Sequence, residues 1–242
     1  MIDLYWWNDA PNFGDALSEV IVGYVTSSVV KHVPKESSPK LLTVGSILQL
    51  AKDGDTVWGS GLHPWAFHRY ARPMERPPSL NILAVRGPLT YDALKSAGIG
   101  VSETFGDPAI LLPLYHKDPV EKNYEVGLVP HIKDIARGGG DIVINPRDHW
   151  KTVVDQIRSC KRIISSSLHG IIIAEAYGIP AVWLRTSTYE GASKYYDYYL
   201  STERYAKPVY SLDKALLASP PNLPKINKMQ SRLILSAKGI GK

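Results

Sequence analysis

The chain has 242 residues, 44% hydrophobic and 21% charged, with a formal net charge of +5. That length fits one large domain or two small ones, and the composition is globular. A single cysteine, Cys160, excludes an internal disulfide and a cysteine zinc cluster. The N-terminal segment lacks the basic and apolar regions of a signal peptide. The most apolar stretch, 171–184, is too short and too interrupted, by Glu175, Gly178 and Pro180, to span a bilayer. A cytoplasmic protein is expected. The basic surplus favours anionic partners. Lys and Arg are scattered and form no nucleic-acid motif, so the partner expected is an anionic substrate, at or near a membrane surface, and not nucleic acid.

The first apolar run, residues 2–7, reads as a strand, and Asn12-Phe13-Gly14-Asp15 follows it. A helix is expected over 15–27. Asp15 is its N-cap or, alternatively, a general base. Strands are expected at 41–44 and 56–58, the second running into Trp58-Gly59-Ser60-Gly61, where the glycines let backbone approach a ligand closely. A strand at 82–85 leads through Arg86-Gly87-Pro88 into a helix over 88–96, with proline suited to its first turn. Arg86 thus stands at the carboxyl end of a strand, where α/β sheets bind ligands. Its planar fork can grip a carboxylate or phosphate; a surface salt bridge is the competing role.

The polar, proline-containing segment 116–123 reads as a linker. It divides a unit at 1–116 from a second at 122–205, and a tail over 206–242 carries helical stretches at 213–218 and 226–237. In the second unit, strands are expected at 125–129, 141–144, 162–165 and 181–184, and helices at 150–159 and 169–177. Apolar runs without alternation, interleaved with helices, indicate an α/β fold with parallel strands covered on both faces. The sharpest local feature is Ser165-Ser166-Ser167-Leu168-His169-Gly170. Serines cap the helix that begins there, and its remaining N–H groups and dipole form an anion site. A helix N-terminus disfavours imidazolium, whereas a bound phosphate favours it, so His169 can take up and release a proton as substrate comes and goes. A capped helix with a hydrogen-bonded histidine is the plainer alternative.

Taken in order, these segments resemble the polysaccharide pyruvyl transferases, particularly the bacterial exopolysaccharide branch. The pieces are Asn12-Phe13-Gly14-Asp15, Trp58-Gly59-Ser60-Gly61, Val85-Arg86-Gly87-Pro88, Gly106-Asp107-Pro108-Ala109, Val129-Pro130-His131, Ser166-Ser167-Leu168-His169-Gly170 with the helix after it, and Lys194-Tyr195-Tyr196-Asp197-Tyr198-Tyr199. The resemblance implies two Rossmann-like domains facing across a cleft, as in GT-B glycosyltransferases. It implies phosphoenolpyruvate as donor substrate and a sugar acceptor, lipid-linked at the inner membrane face in one version of the reading; the chemistry requires no metal, no HExxH or cysteine cluster suggests one, and no other cofactor is expected. Relatives often carry an arginine where this chain has Ser167, so one donor-binding cation is either missing or supplied elsewhere, for example by Arg147, Arg185 or Lys194.

The chemistry asks for a proton donor, a base and anion clamps. On the resemblance, Arg86 clamps the donor. His169 is the acid or a phosphate partner, with Ser166 and Ser167 adding hydrogen bonds. Asp15 is the base toward the acceptor, and His131 a second acid–base candidate. Asn12, Gly61 and Lys194 complete the expected binding residues. The alternatives are a nucleotide-sugar glycosyltransferase of the same architecture and a non-catalytic carbohydrate-binding protein.

Overall fold

The structure, a computed structural model, describes residues 1–134, 138–185 and 191–241. It is α/β, with two parallel sheets. The first holds β1 (Ile2–Tyr5), β2 (Val30–His32), β3 (Leu41–Leu42), β4 (Thr56–Trp58) and β5 (Asn81–Ala84) in the order β2-β1-β3-β4-β5. The second holds β6 (Tyr124–Val129), β7 (Ile142–Val143), β8 (Cys160–Ser165) and β9 (Ala181–Trp183) in the order β7-β6-β8-β9. Every strand pairing in both is parallel. β2, an edge strand of three residues, is an element the sequence pattern did not expose.

The helices are α1 (Phe13–Thr26), α2 (Phe67–Tyr70), α3 (Pro88–Ser96), α4 (Trp150–Arg158), α5 (Leu168–Ala176), α6 (Ser193–Ser201), α7 (Leu212–Leu217) and α8 (Asn227–Ser236), together with a 3-10 segment over Pro108–Leu114. α1 begins two residues earlier than expected. Its N-cap is Asn12, whose side chain accepts from the Gly14 N–H at 3.1 Å, so Asp15 is not the cap. The segment 116–123 is irregular, as expected of a linker, but it is well anchored: His116 bonds Asp155 at 2.7 Å, and Lys122 donates to the carbonyls of Arg158 and Cys160, each at 2.7 Å.

Alternating residues of the strands face different apolar clusters. Leu4 packs with α1 and α5, while Tyr5 joins Leu42, Val57 and Leu94 on the opposite side. In the second sheet Ile163 joins the first cluster and Ile164 packs with Val182, Leu184 and Ala215. Both sheets are therefore covered on both faces, which is why their strands lack polar alternation. α5 is buried over all nine residues, as expected of a helix hydrophobic all round. Gly170 lets it lie close to β8: a Cβ there would meet Ser165 Oγ at 2.3 Å.

The tail divides between the two sheets. Ala215 of α7 packs on the second, while α8 returns to the first. Trp58 Nε1 donates to Leu233 O at 3.2 Å and to Ser236 Oγ at 3.1 Å, and Gln230 donates to Ile110 O at 2.8 Å. α6 is a brace between the halves. Tyr195 donates to Ser166 O at 2.6 Å, and its ring stacks on Trp183 at 4.6 Å between centroids. Two residues on, Asp197 accepts from the Thr90 N–H at 3.1 Å and the Thr90 hydroxyl at 2.6 Å, at the start of α3.

Candidate active site

The turns leaving the carboxyl ends of strands in both sheets converge on a pocket of about 310 Å³, within the usual size of small-molecule sites. From the first sheet come Trp7, Asn12 and Asp15 after β1, Gly45, Ser46 and Gln49 after β3, and His63 after β4. From the second come His131 and Lys133 after β6, and Ser167, Leu168 and His169 at the start of α5. Lys194 enters from α6.

Six of the nine residues expected from the sequence line this pocket: Asn12, Asp15, His131, Ser167, His169 and Lys194. Ser166 stands behind it, accepting from the His131 N–H at 2.9 Å and donating to Asp134 at 3.0 Å, and so fixes the turn that carries His131. Ser167 is the N-cap of α5, as read from the three serines.

Arg86 and Gly61 are placed differently from expectation. Arg86 is fully buried and does not line the pocket. Its Nε donates to Asp197 at 3.2 Å, Nη1 to Ser46 Oγ at 2.7 Å and Nη2 to Leu62 O at 3.1 Å. Gly61 is needed for that guanidinium, not for a ligand: a Cβ there would lie 2.2 Å from Arg86 Cζ. Arg86 touches the pocket only through Ser46, which the sequence reading missed. The signal for Ser46 was present: Gly45-Ser46 closes a strand, and Gly45 has φ 109°, a conformation that favours glycine. Of the three cations named as substitutes at Ser167, only Lys194 lines the pocket. Arg147 donates to the Ile132 carbonyl at 3.1 Å.

Asp15 sits at the centre of the charges. Its Oδ2 accepts from Asn12 Nδ2 at 2.6 Å. Burial raises its pKa from the ordinary 3.8 to about 6, with a smaller push from Asp107 and against the pull of His169, Lys194 and the Asn12 bond. The His169 ring lies directly over Gly14, where a Cβ would stand 2.1 Å from Nδ1. Its Nε2 is 3.5 Å from Asp107 Oδ2. A carboxyl whose pKa burial raises to about 6, a histidine and a lysine thus line one pocket, an arrangement suited to acid–base chemistry.

The family model for polysaccharide pyruvyl transferases matches residues 40–188. The chain belongs to the polysaccharide pyruvyl transferase family. A protein of Acanthamoeba polyphaga mimivirus, described only as uncharacterized, is 31% identical over 207 residues, covering 77% of this chain and 69% of that one. The succinoglycan biosynthesis protein ExoV of Rhizobium meliloti (strain 1021) is 28% identical over 205 residues, 76% of this chain and 58% of ExoV. This chain therefore spans less than two thirds of ExoV. In fold it is similar to a crystal structure of an uncharacterized Klebsiella pneumoniae protein, with a TM-score of 0.51 and 12% identity over 87% of this chain and 93% of that one. Among the described residues, no helix is long and apolar enough to cross a membrane.

Proposed function

We propose that the pocket joins phosphoenolpyruvate to two hydroxyls of a sugar, in an exopolysaccharide or cell-surface glycan precursor, as a pyruvate ketal, releasing phosphate. The observation that carries this reading is the grouping of Asp15, His169 and Lys194 at the N-terminus of α5, within a chain of the pyruvyl transferase family. Lys194 and the N-terminal N–H groups of α5 attract the two anionic groups of the donor. His169 delivers a proton to the methylene carbon. The adjoining carbon becomes cationic, and a sugar hydroxyl adds to it while its proton passes to Asp15. The bond to phosphate then breaks, the second hydroxyl closes the ring, and its proton leaves with phosphate. Asp15 returns its proton to His169, so atoms and charges balance over the cycle.

In this reading the units 1–116 and 122–205 are Rossmann-like domains in a GT-B-like arrangement, with the tail bracing them. Support comes from the lining residues, which leave the carboxyl ends of strands in both sheets. The net charge of +5 suits an anionic donor and a lipid-linked acceptor at the cytoplasmic face of a membrane. The test is phosphate release from phosphoenolpyruvate in the presence of synthetic or lipid-linked glycosides. Release that requires both substrates, with thermal protection by phosphoenolpyruvate, supports the reading. Protection by nucleoside diphosphates and none by phosphoenolpyruvate would point to a nucleotide-sugar enzyme instead.

Asp15 offers a second test. As a base it must be ionised, so turnover should fall as pH drops below about 6. Asp15→Asn should lower turnover roughly 100-fold and erase that limb. Folding stability should move the other way. A carboxyl whose pKa is raised on folding favours the fold below its unfolded pKa, and that contribution is lost as pH rises through about 6. Asp15→Asn should therefore gain on the order of 2–3 kcal/mol relative to the parent at pH 8, read by denaturant unfolding. A variant both less stable at pH 8 and fully active would remove Asp15 from the chemistry.

A further inference from the structure

Asp107 is fully buried at the head of the 3-10 segment. Its Oδ1 accepts from the Ala109 N–H at 3.0 Å, a capping bond that asparagine or serine supplies equally well. Oδ2 takes no part in the cap. It is shut away from solvent without a hydrogen-bond partner, and so is Nε2 of His169, 3.5 Å from it. An unsatisfied carboxylate oxygen in a protein interior is costly. Here two unsatisfied atoms lie 3.5 Å apart, roughly 0.6 Å beyond the length of a charge-assisted hydrogen bond.

The rest of the ring's surroundings favours the same pairing. Gly14 brings no side chain to compete for Nδ1, which lies over its backbone. Among the described residues, Asp15 on α1 and Asp107 on the 3-10 segment carry charge near the ring, Lys194 on α6 interacts with Asp15, and His131 and Lys133 line the same pocket. Glu175, on the ring's own helix, is taken up by Arg204 at 2.6 Å and by the Tyr198 hydroxyl at 2.7 Å. Since a carboxylate only accepts, Asp107 can satisfy Nε2 only when that nitrogen bears a proton.

We propose that Asp107 is a positioning residue for His169: it holds a proton on Nε2 and reserves Nδ1 as the nitrogen that exchanges a proton with substrate in the pocket. The proposal rests on the reading of His169 as the acid. Fixing one nitrogen through a carboxylate sets both the orientation of the imidazole and the tautomer left after proton transfer. Asp107 itself touches no reacting atom.

Asp107→Asn separates this role from capping. The amide keeps an oxygen for the Ala109 N–H, and its NH2 replaces Oδ2. That group donates to Nε2 and forces the ring proton onto Nδ1. Phosphate release from phosphoenolpyruvate and a glycoside acceptor should show kcat about 100-fold lower, with the donor KM changed less than about threefold. Nitrogen-15 spectra of labelled histidine should show neutral His169 protonated at Nε2 in the parent and at Nδ1 in the variant. In a His169→Gln background, Asp107→Asn should cost no further turnover. A near-parent kcat or an unchanged tautomer, with His169→Gln impaired, overturns the role of Asp107. Normal turnover by His169→Gln alone would instead remove the histidine reading, and this proposal with it. If Asp107→Asn does not fold, Asp107→Ser keeps the cap without the carboxylate and carries the same kinetic comparison.

Discussion

Arg86→Ala is expected to lower folding stability by about 3–5 kcal/mol, the usual result of removing one partner from a buried ion pair. Arg86 and Asp197 are both fully buried. Without the guanidinium, the Asp197 carboxylate keeps its bonds from Thr90 but loses its counter-charge, and Leu62 O and Ser46 Oγ lose their donor. For a chain of this size the loss corresponds to a melting temperature about 6–20 °C lower. Arg86→Lys should fall between parent and Ala, because one ammonium cannot reproduce three separated contacts. Arg86→Met combined with Asp197→Asn should regain part of the loss, since no uncompensated charge then remains. Donor affinity is the discriminating readout. A variant that melts like the parent but binds phosphoenolpyruvate tenfold more weakly would return Arg86 to the donor site.

His169→Ala is expected to lower turnover roughly 100-fold or more. The ring is packed on Gly14 and faces Asp107, so alanine also opens space in the wall. His169→Gln is the sharper variant: it keeps a polar side chain of similar reach but cannot cycle a proton. If the chemistry needs that proton, both variants lose turnover alike while Gln keeps the stability. Near-parent turnover in a folded His169→Gln protein would shift the acid to His131.

The outcome for these two residues shows what the sequence made legible. His169 could be read because its signal is local: a strand, three serines and a helix occur within a few residues, and strand-to-helix junctions face ligands in α/β sheets. Asn12, Asp15 and Ser167 follow from the same rule. Arg86 obeys that rule too, yet its partner Asp197 lies 111 positions away, and no local pattern connects the two. α6 was read only as a run of tyrosines. Aromatic residues favour helices weakly, and this helix is held by remote partners: Ser166, Trp183, Thr90 and Arg86. The 3-10 segment escaped for a similar reason, since Pro108 and Pro113 mark it as irregular chain. The strands themselves were visible because burial on both faces leaves unbroken apolar runs.

The return of α8 to the first sheet bears on how the protein is made. Trp58 finds its hydrogen-bond acceptors at Leu233 and Ser236, which leave the ribosome about 175 residues later. Domains that fold as they are synthesised complete their cores from residues already outside the exit tunnel. Here the region around Trp58 must wait for almost the whole chain and stays open throughout elongation. Ribosome-bound chains halted before residue 227 should be digested across β4 and β5 by a protease that the released protein resists, and equal resistance would show that the sheet closes without α8. The order of synthesis and the order of assembly are thus reversed at this strand: β4, translated early, is among the last elements to be sealed.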